Sequence, residues 1–389
     1  MYRIYADDVL LHNPLFAEKG RVVISPVLTE KLNTHGSLQF GIAPSNPLYD
    51  AIEPKITKIK VVSDANVNNK PWFGRVVSVD VGWNNIKDVY CEGALAYLCD
   101  SIMRPFGYKG SPADMLDGLL ANYRGSHTSG PQFLLGNVSV VDPNDTIVRS
   151  SSDPMSVWDV IDQDLFNSSL GGYVLPRYDA ENDRHYVDYL SLDDGDQYAH
   201  VSSQIVKFGK NLLSFTEHES AVDIITVLIP YGALLEPDDP DYEDGPPKPE
   251  SGFEAWDGNR ITIESVNDGK RWIEDTDASE KWGRTVGTYT WENVTVPANL
   301  LTKARAYLAQ QIWQSVTLEM SAVDLSYVNA DIEQIQVGDY VRCESVPHDL
   351  NVLMLCTQKT TYLTELESSG IVLGVGLKTI TDLQKGGAT

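Results

Sequence analysis

Seven histidines and four cysteines give this chain its widest range of possible chemistry. A zinc hydrolase would need histidines at ligand spacing, as in HExxH on a helix. His12, His35, His127, His185, His200, His218 and His348 are scattered and form no such pair. One nucleophile and base lie close in sequence, Cys343 and His348 near a strand end, and a thiolate–imidazole pair is what those types could make. Against that, Cys343 alternates with Val341 along one side of a strand, and His348 sits in a Pro-His-Asp turn. A packed thiol and a turn histidine are the stronger reading. Cys91, Cys99, Cys343 and Cys356 show neither a CxxC pair nor a dense framework, so neither a zinc site nor a disulfide-stapled fold is indicated.

The carboxylates are abundant, which makes any one pair uninformative. In LLEPDDPDYEDGPPKPESG, from Leu234 to Gly252, Asp239, Asp241, Glu243 and Glu250 fall at the spacing of calcium ligands in a helix–loop–helix site. The glycine such a loop requires is displaced to Gly245, and Pro246, Pro247 and Pro249 forbid the exiting helix, so a solvated acidic loop is favoured. Asp193, Asp194 and Asp196 around Gly195 read as a turn before a metal site. No GxSxG elbow or Walker loop occurs, and Gly374-Val375-Gly376 lies in a strand-like run that suggests close packing. Trp72, Trp83, Trp158, Trp256, Trp272, Trp282, Trp291 and Trp313 are spread along the chain, as core and interface anchors are. The expectation is a chain with no catalytic, cofactor-binding or metal-ligating residues.

The elements that would position any site begin with Leu28 to Leu98. Asn33-Thr34-His35-Gly36 supplies a turn tolerant of positive φ, and Leu38, Phe40 and Ile42 alternate with Ser37, Gln39 and Gly41. Pro44 and Pro47 then stop the pairing. A strand in PWFGRVVSVDV is expected to bury Phe73, Val77, Val79 and Val81. After Cys91 the period changes: Leu95, Leu98, Cys99 and Ile102 predict a helix over 93–103, ended by Pro105. Two further helices are expected at 112–124, capped by Ser111 with Pro112 first, and at 154–167. Strands are expected at 133–141 and in a hairpin of 172–178 with 185–190. Beyond residue 206 strands dominate, at 222–230, 260–264, 316–326, 332–345, 352–364 and 371–379, interrupted by a helix over 297–314. This divides the chain into an all-β domain at 1–90, an α+β domain at 91–205, and a second β domain at 206–389 carrying the acidic loop 234–252.

Composition bounds the partners. The 389 residues are 42% hydrophobic, enough for two or three cores, and 30 basic against 55 acidic side chains give a net charge of −25. Such a surface does not grip a phosphate backbone. The longest apolar patch, 224–235, contains Pro230 and falls well short of the roughly 20 residues a membrane-spanning helix needs. The start, MYRIYADDVLLHNP, is unlike a secretory signal, and a soluble chain made in the cytoplasm is expected.

The series GSLxFxI, NPxYDxI, FxGRV and CEGxLAYLxDS resembles the N-terminal structural region of phage tail-associated lysins and baseplate hub proteins of siphophages and prophages. It is carried by Gly36, Ser37, Leu38, Phe40, Asn46, Pro47, Tyr49, Gly74, Arg75, Glu92, Gly93, Tyr97, Leu98, Asp100 and Ser101. KWGRTVGTYTWENVT and LEMSAVDLSYVNADIEQIQVGDYVRCES extend the resemblance over nearly the whole chain. It implies a mainly β fold with two β-barrel domains flanking or packed on an α+β domain. It also implies a homotrimeric hub at the virion tail tip that closes the tail tube, gates DNA passage, and meets the distal tail ring and the tape-measure protein. Acidic side chains lining the bore would keep passing DNA from sticking. The alternatives are a peptidoglycan-degrading tail lysin or endopeptidase, for which the short stretch after the last strand is expected to leave no room, and a receptor- or saccharide-binding tail protein.

Overall fold

The computed structural model describes residues 2–63, 70–127, 130–142, 146–168, 170–220, 224–235, 257–291, 294–312, 315–329, 331–348 and 350–379. Strands predominate. The chain forms two compact units, one of residues 1–216 with 318–376 and one built mainly on 217–317.

The first unit grows from β1 (Tyr2–Ala6), β2 (Val9–His12), β3 (Ile24–Lys31), β4 (Ser37–Ile42), β5 (Lys58–Ser63), β6 (Trp72–Val81) and β7 (Lys87–Gly93). The β3–β4 turn forms as its residues dictate, with Asn33 at φ 57° and Gly36 at φ 68°. Leu38, Phe40 and Ile42 are buried as the alternation requires, each contributing roughly 1.5–3 kcal/mol by leaving water. Along β6 the expected face is met only in part: Val79 packs on the core, Val76 is fully buried ahead of it, and Val81 is 59% exposed. The register slips between Val76 and Ser78. A bulge adds one residue on one strand and reverses the alternation beyond it.

These strands continue into the C-terminal part of the chain. One 13-stranded sheet runs Leu212–Ser220, Ser315–Ala322, Gly370–Thr379, Leu350–Tyr362, β3, β4, β7, β6, β5, β1, β2, with Asp339–Ser345 and then His200–Lys207 branching off Leu350–Tyr362. The long Leu350–Tyr362 strand is the hinge of this arrangement: its first half pairs with Asp339–Ser345 and its second half with β3. Each half of the sheet curls. His200–Lys207 and Leu212–Ser220 stand at opposite ends of their half yet are joined by a single turn, in which the Lys210 and Asn211 amides donate to the Lys207 carbonyl. Likewise β2 ends one half and β3 begins it, while the Asn13 amide bonds Arg21 and the Val23 amide bonds His12 Nδ1. Among the described residues no ladder closes either half, so each is a curled sheet with open edges.

The middle of this unit is α+β. A three-stranded sheet of Phe133–Val138, Arg184–Leu190 and Tyr173–Asp179 packs with α1 (Pro112–Ser126) and α2 (Val157–Ile161) around a core that includes Leu116, Leu120, Tyr123, Phe133 and Trp158. Ser111 caps α1 by accepting the Asp114 amide. The expected helix at 93–103 is instead a 3-10 segment, Ala94–Asp100, followed by the two-residue strand Ile102–Met103. Arg75 takes the Ala96 carbonyl, an acceptor that an α-helix would use in its own ladder. The expected helix at 154–167 starts only after Ser156, its cap, because Met155–Ser156 pairs with Ile102–Met103; it then widens into a π turn over Asp162–Phe166.

In the second unit, Ile273–Glu274, Val227–Tyr231 and Val286–Thr290 form a three-stranded sheet. The same unit holds α3 (Thr276–Trp282) and α4 (Pro297–Gln311), and α4 packs on Val227–Tyr231, burying Leu300, Ala304 and Leu308 as its stripe predicts. The expected strand at 260–264 reduces to an isolated bridge between Leu234 and Arg260. Residues 236–256, with most of the acidic loop, Asp239, Asp241, Glu243, Glu250 and Trp256, lie outside the described residues, as does Trp313.

Gly74 and Gly93 face each other across β6 and β7. A methyl group at Gly93 would overlap the His35 carbonyl, and one at Gly74 would overlap the Glu92 carbonyl and the Trp72 ring. Gly93→Ala is therefore expected to cost about 2–3 kcal/mol, seen as a lower urea midpoint. Gly118→Ala in α1, where a methyl meets nothing, is expected to be stabilising by about 0.5–1 kcal/mol.

Candidate functional site

Cys343 and His348 are not brought together. The Cys343 thiol is buried in its strand, directed at the Val341 carbonyl, and burial pushes its pKa up to about 12. His348 instead bonds Ser345 Oγ at 2.6 Å and packs between the rings of Phe208 and Phe215. The thiol–imidazole contact that does exist was not visible in the sequence: Cys99 Sγ lies 3.5 Å from His35 Nε2. Burial raises that thiol to about 11 and lowers the imidazole, so both stay neutral, and the His35 ring packs on Trp158 at 4.5 Å. A neutral thiol is a poor nucleophile. Asp193 and Asp196 accept the Gly195 and Tyr198 amides, as turn residues do, and Gly374 pairs with Leu355 inside its strand. Among the described residues no cluster of His, Cys, Asp and Glu could hold a metal ion.

The residues that carry the motifs converge on two polar joints of the first unit. At the first, Arg75 on β6 is 4% exposed. Its guanidinium pairs with Asp100, donates to the Ala96 carbonyl at 3.2 Å, and lies 4.5 Å from the Tyr97 ring centre. Lys55 reaches the same carboxylate at 3.1 Å. Burial works against the charge on Asp100, but the bonds from Arg75 and Lys55 hold its carboxyl below the usual range. Ser101, next in the chain, joins Ser126 and Asn122 of α1. Asn46 binds the Leu11 and Val22 carbonyls and the Leu48 amide, and Tyr49 bonds Asn85 across to the β6–β7 turn.

The second joint explains the Asp-Leu-Ser and Gly-Asp sequences. Asp324 is fully buried and accepts from Gln204, the Ser326 amide and the Ile335 amide, with Lys359 Nζ at 3.6 Å. Lys359, 2% exposed, also donates to the Ile335 carbonyl at 2.5 Å and stands opposite Glu30 of β3 in the ladder. Burial raises the Glu30 carboxyl. Around this pair Gln334 donates to Tyr2 of β1, and Tyr327 bonds Thr361. The backbone of 331–338 thus bonds to side chains, which is why the strand expected from 332 begins only at Asp339. His200, next to Asp339 in the parallel pair, lies 3.1 Å from that carboxylate and 3.2 Å from Glu333.

Comparison with known proteins points in the same direction as the motifs. Residues 200–384 match the family model described as prophage endopeptidase tail. None of the curated proteins compared matches the chain in sequence. Among solved structures, the 43 kDa tail protein of prophage MuSo2 from Shewanella oneidensis is similar over 96% of this chain and 97% of its own, with a TM-score of 0.56 and 11% identity. The tail protein of Neisseria meningitidis MC58 is similar over 96% of both chains, with a TM-score of 0.55 and 13% identity. The prophage tail protein gp18 of Listeria monocytogenes EGD-e is similar over 93% of this chain and 91% of its own, at 0.51 and 13%. At these identities the likeness establishes the fold: this chain is built like phage tail proteins.

Two outcomes follow from these buried polar groups. Lys359→Met leaves Asp324 charged and buried without its counter-ion, and is expected to cost about 3–5 kcal/mol in urea unfolding. Adding Asp324→Asn should recover part of that loss, a coupling that a double-mutant cycle reads directly. His12, 1% exposed, has its imidazole pushed down to about 4 by burial. Its folded pKa lies below the unfolded value of about 6.5, so its contribution is complete above pH 6.5 and is lost as pH falls toward 4, on the order of 3 kcal/mol. Unfolding curves between those pH values should show the loss, and His12→Asn should flatten it.

Proposed function

With the fold of phage tail proteins as the premise, we propose that this chain is a structural hub of a phage or prophage tail tip, acting as a homotrimer that closes the tail tube and opens for DNA. The observation that carries the reading is the sheet itself. It is two curled halves joined in one continuous ladder, with β2, Leu212–Ser220 and His200–Lys207 as edge strands, each paired on one side only. Open edges invite pairing with another chain, and two dissimilar edges on one molecule form a head-to-tail contact that closes into a ring when the rotation allows. In that arrangement the β segments at 1–90 and 206–389 act as the two barrel-like tube domains, and three copies give a pseudo-six-fold wall. The domain at 91–205 stands between or outside them.

The net charge of −25 suits a bore through which DNA slides without binding. The distal tail ring and the end of the tape-measure protein are the partners of such a hub, assembled at the virion tail tip from chains made in the host cytoplasm. No helix among the described residues is long and apolar enough to cross a membrane. The endopeptidase in the family description is the argument for an enzyme. The separation of Cys343 from His348 and the neutral Cys99–His35 contact favour a structural role instead.

Light scattering tests the assembly. A species of about three times 43.1 kDa, giving rings by negative-stain imaging, is expected. Leu213, 65% exposed on the edge strand, is expected to matter to it, so that Leu213→Lys shifts the protein toward monomer with an unchanged melting temperature. A stable dimer, or a monomer at the highest attainable concentration, would contradict the proposal.

A further inference from the structure

A cleft in the first unit borders the joints at Tyr97 and Glu30 but is lined mainly by other residues. Phe73, Tyr178 and His185 form a trio of rings with centres 4.5–5.0 Å apart. The trio lines two adjoining hollows, an inner one of about 120 Å³ and an outer one of about 940 Å³. The outer volume lies within the roughly 300–1,000 Å³ of ligand sites. Its rim is made by two hairpin tips, Asp7-Asp8 between β1 and β2 and Asp183-Arg184 at the start of the Arg184–Leu190 strand.

Several polar groups at this cleft are uncommitted. Neither ring nitrogen of the half-buried His185, nor the guanidinium of the exposed Arg184, has a hydrogen bond among the described residues. Burial lowers the His185 imidazole and keeps it neutral, so the ring presents one donor and one acceptor. Tyr178 is fixed by its hydroxyl on Asp183 at 2.8 Å, which presets the ring. Lys60 lies 5.5 Å from the centre of Phe73.

From this arrangement we infer that the cleft binds a neutral glycan, with a pyranose ring against Tyr178 and sugar hydroxyls bonded by His185, Arg184 and the rim carboxylates. An aromatic plane beside mixed donors and acceptors suits a ring that is apolar on its face and hydroxylated at its edge. The rim sets Asp7, Asp8 and Asp183 against Lys58, Lys60 and Arg184, so it selects no net charge, and a chain at −25 repels polyanions. A peptide is disfavoured because the open strand edge beside the cleft, Tyr173–Asp179, is broken by Pro176, which has no amide to donate. This inference goes beyond the hub reading and does not depend on it, since a monomer carries the whole cleft.

The test is titration calorimetry of the full chain with cellotetraose, maltotetraose and chitotetraose at up to millimolar concentration. At least one is expected to bind. Tyr178→Ala should weaken it at least tenfold and Arg184→Ala severalfold, whereas Tyr178→Phe, which keeps the ring, should retain most of the affinity. Arg184→Ala has no described partner to lose and should melt like the parent, which separates loss of binding from loss of fold. Failure of all three sugars, binding indifferent to Tyr178→Ala and Arg184→Ala, or preferential binding of a poly-glutamate or poly-lysine peptide would overturn the inference, whatever the oligomeric state proves to be.

Discussion

Everything in the first unit depends on one seam, where the second half of the Leu350–Tyr362 strand pairs with β3. The seam joins residues more than three hundred positions apart, and closing so long a loop costs entropy before any contact repays it. A one-residue slip would turn the buried face to water, but a slip of two residues keeps the faces and is resisted less by hydrophobic burial alone. Lys359 removes that freedom. Its ammonium has its carbonyl at Ile335, its carboxylate at Asp324 and its cross-strand neighbour at Glu30 in one register only. A buried ion pair is weak as a source of net stability but strong as a penalty on misalignment.

The first joint has the same logic at smaller span. Arg75 and Asp100 hold the middle region to β6, and the glycines at 74 and 93 let the backbones approach closely enough for that contact to form. What the motifs encode is therefore alignment between sheet and helical region and between the two ends of the chain.

Much of this was legible in the residues. The β3–β4 hairpin, α1 with its Ser111 cap, and the stripe of α4 follow from turn chemistry, capping and periodicity. Other features did not follow. The bulge at Val76–Ser78 leaves no mark in composition, because Val76 and Val77 are alike. The 3-10 segment after Gly93 has helical spacing, and the bond that takes its Ala96 carbonyl comes from Arg75, far off in sequence. The irregular backbone of 331–338 looks like strand until Asp324 and Lys359 are brought to it. α3 was missed although Asp275 caps it and Gly283, at φ 87°, ends it, a signal present in EDTDASEKWG. The Cys99–His35 contact and the cleft at Tyr178 arise from tertiary placement, which spacing does not reveal.

Hydrogen–deuterium exchange on the intact protein, resolved by peptide, tests the seam most directly. Amides of 27–31 and 358–362 should be among the slowest in the chain and should open together, since each strand protects the other. Exchange there as fast as at the exposed β6–β7 tip, residues 82–86, would mean that the two halves are held apart from one another and that the continuous sheet is not what organises this molecule.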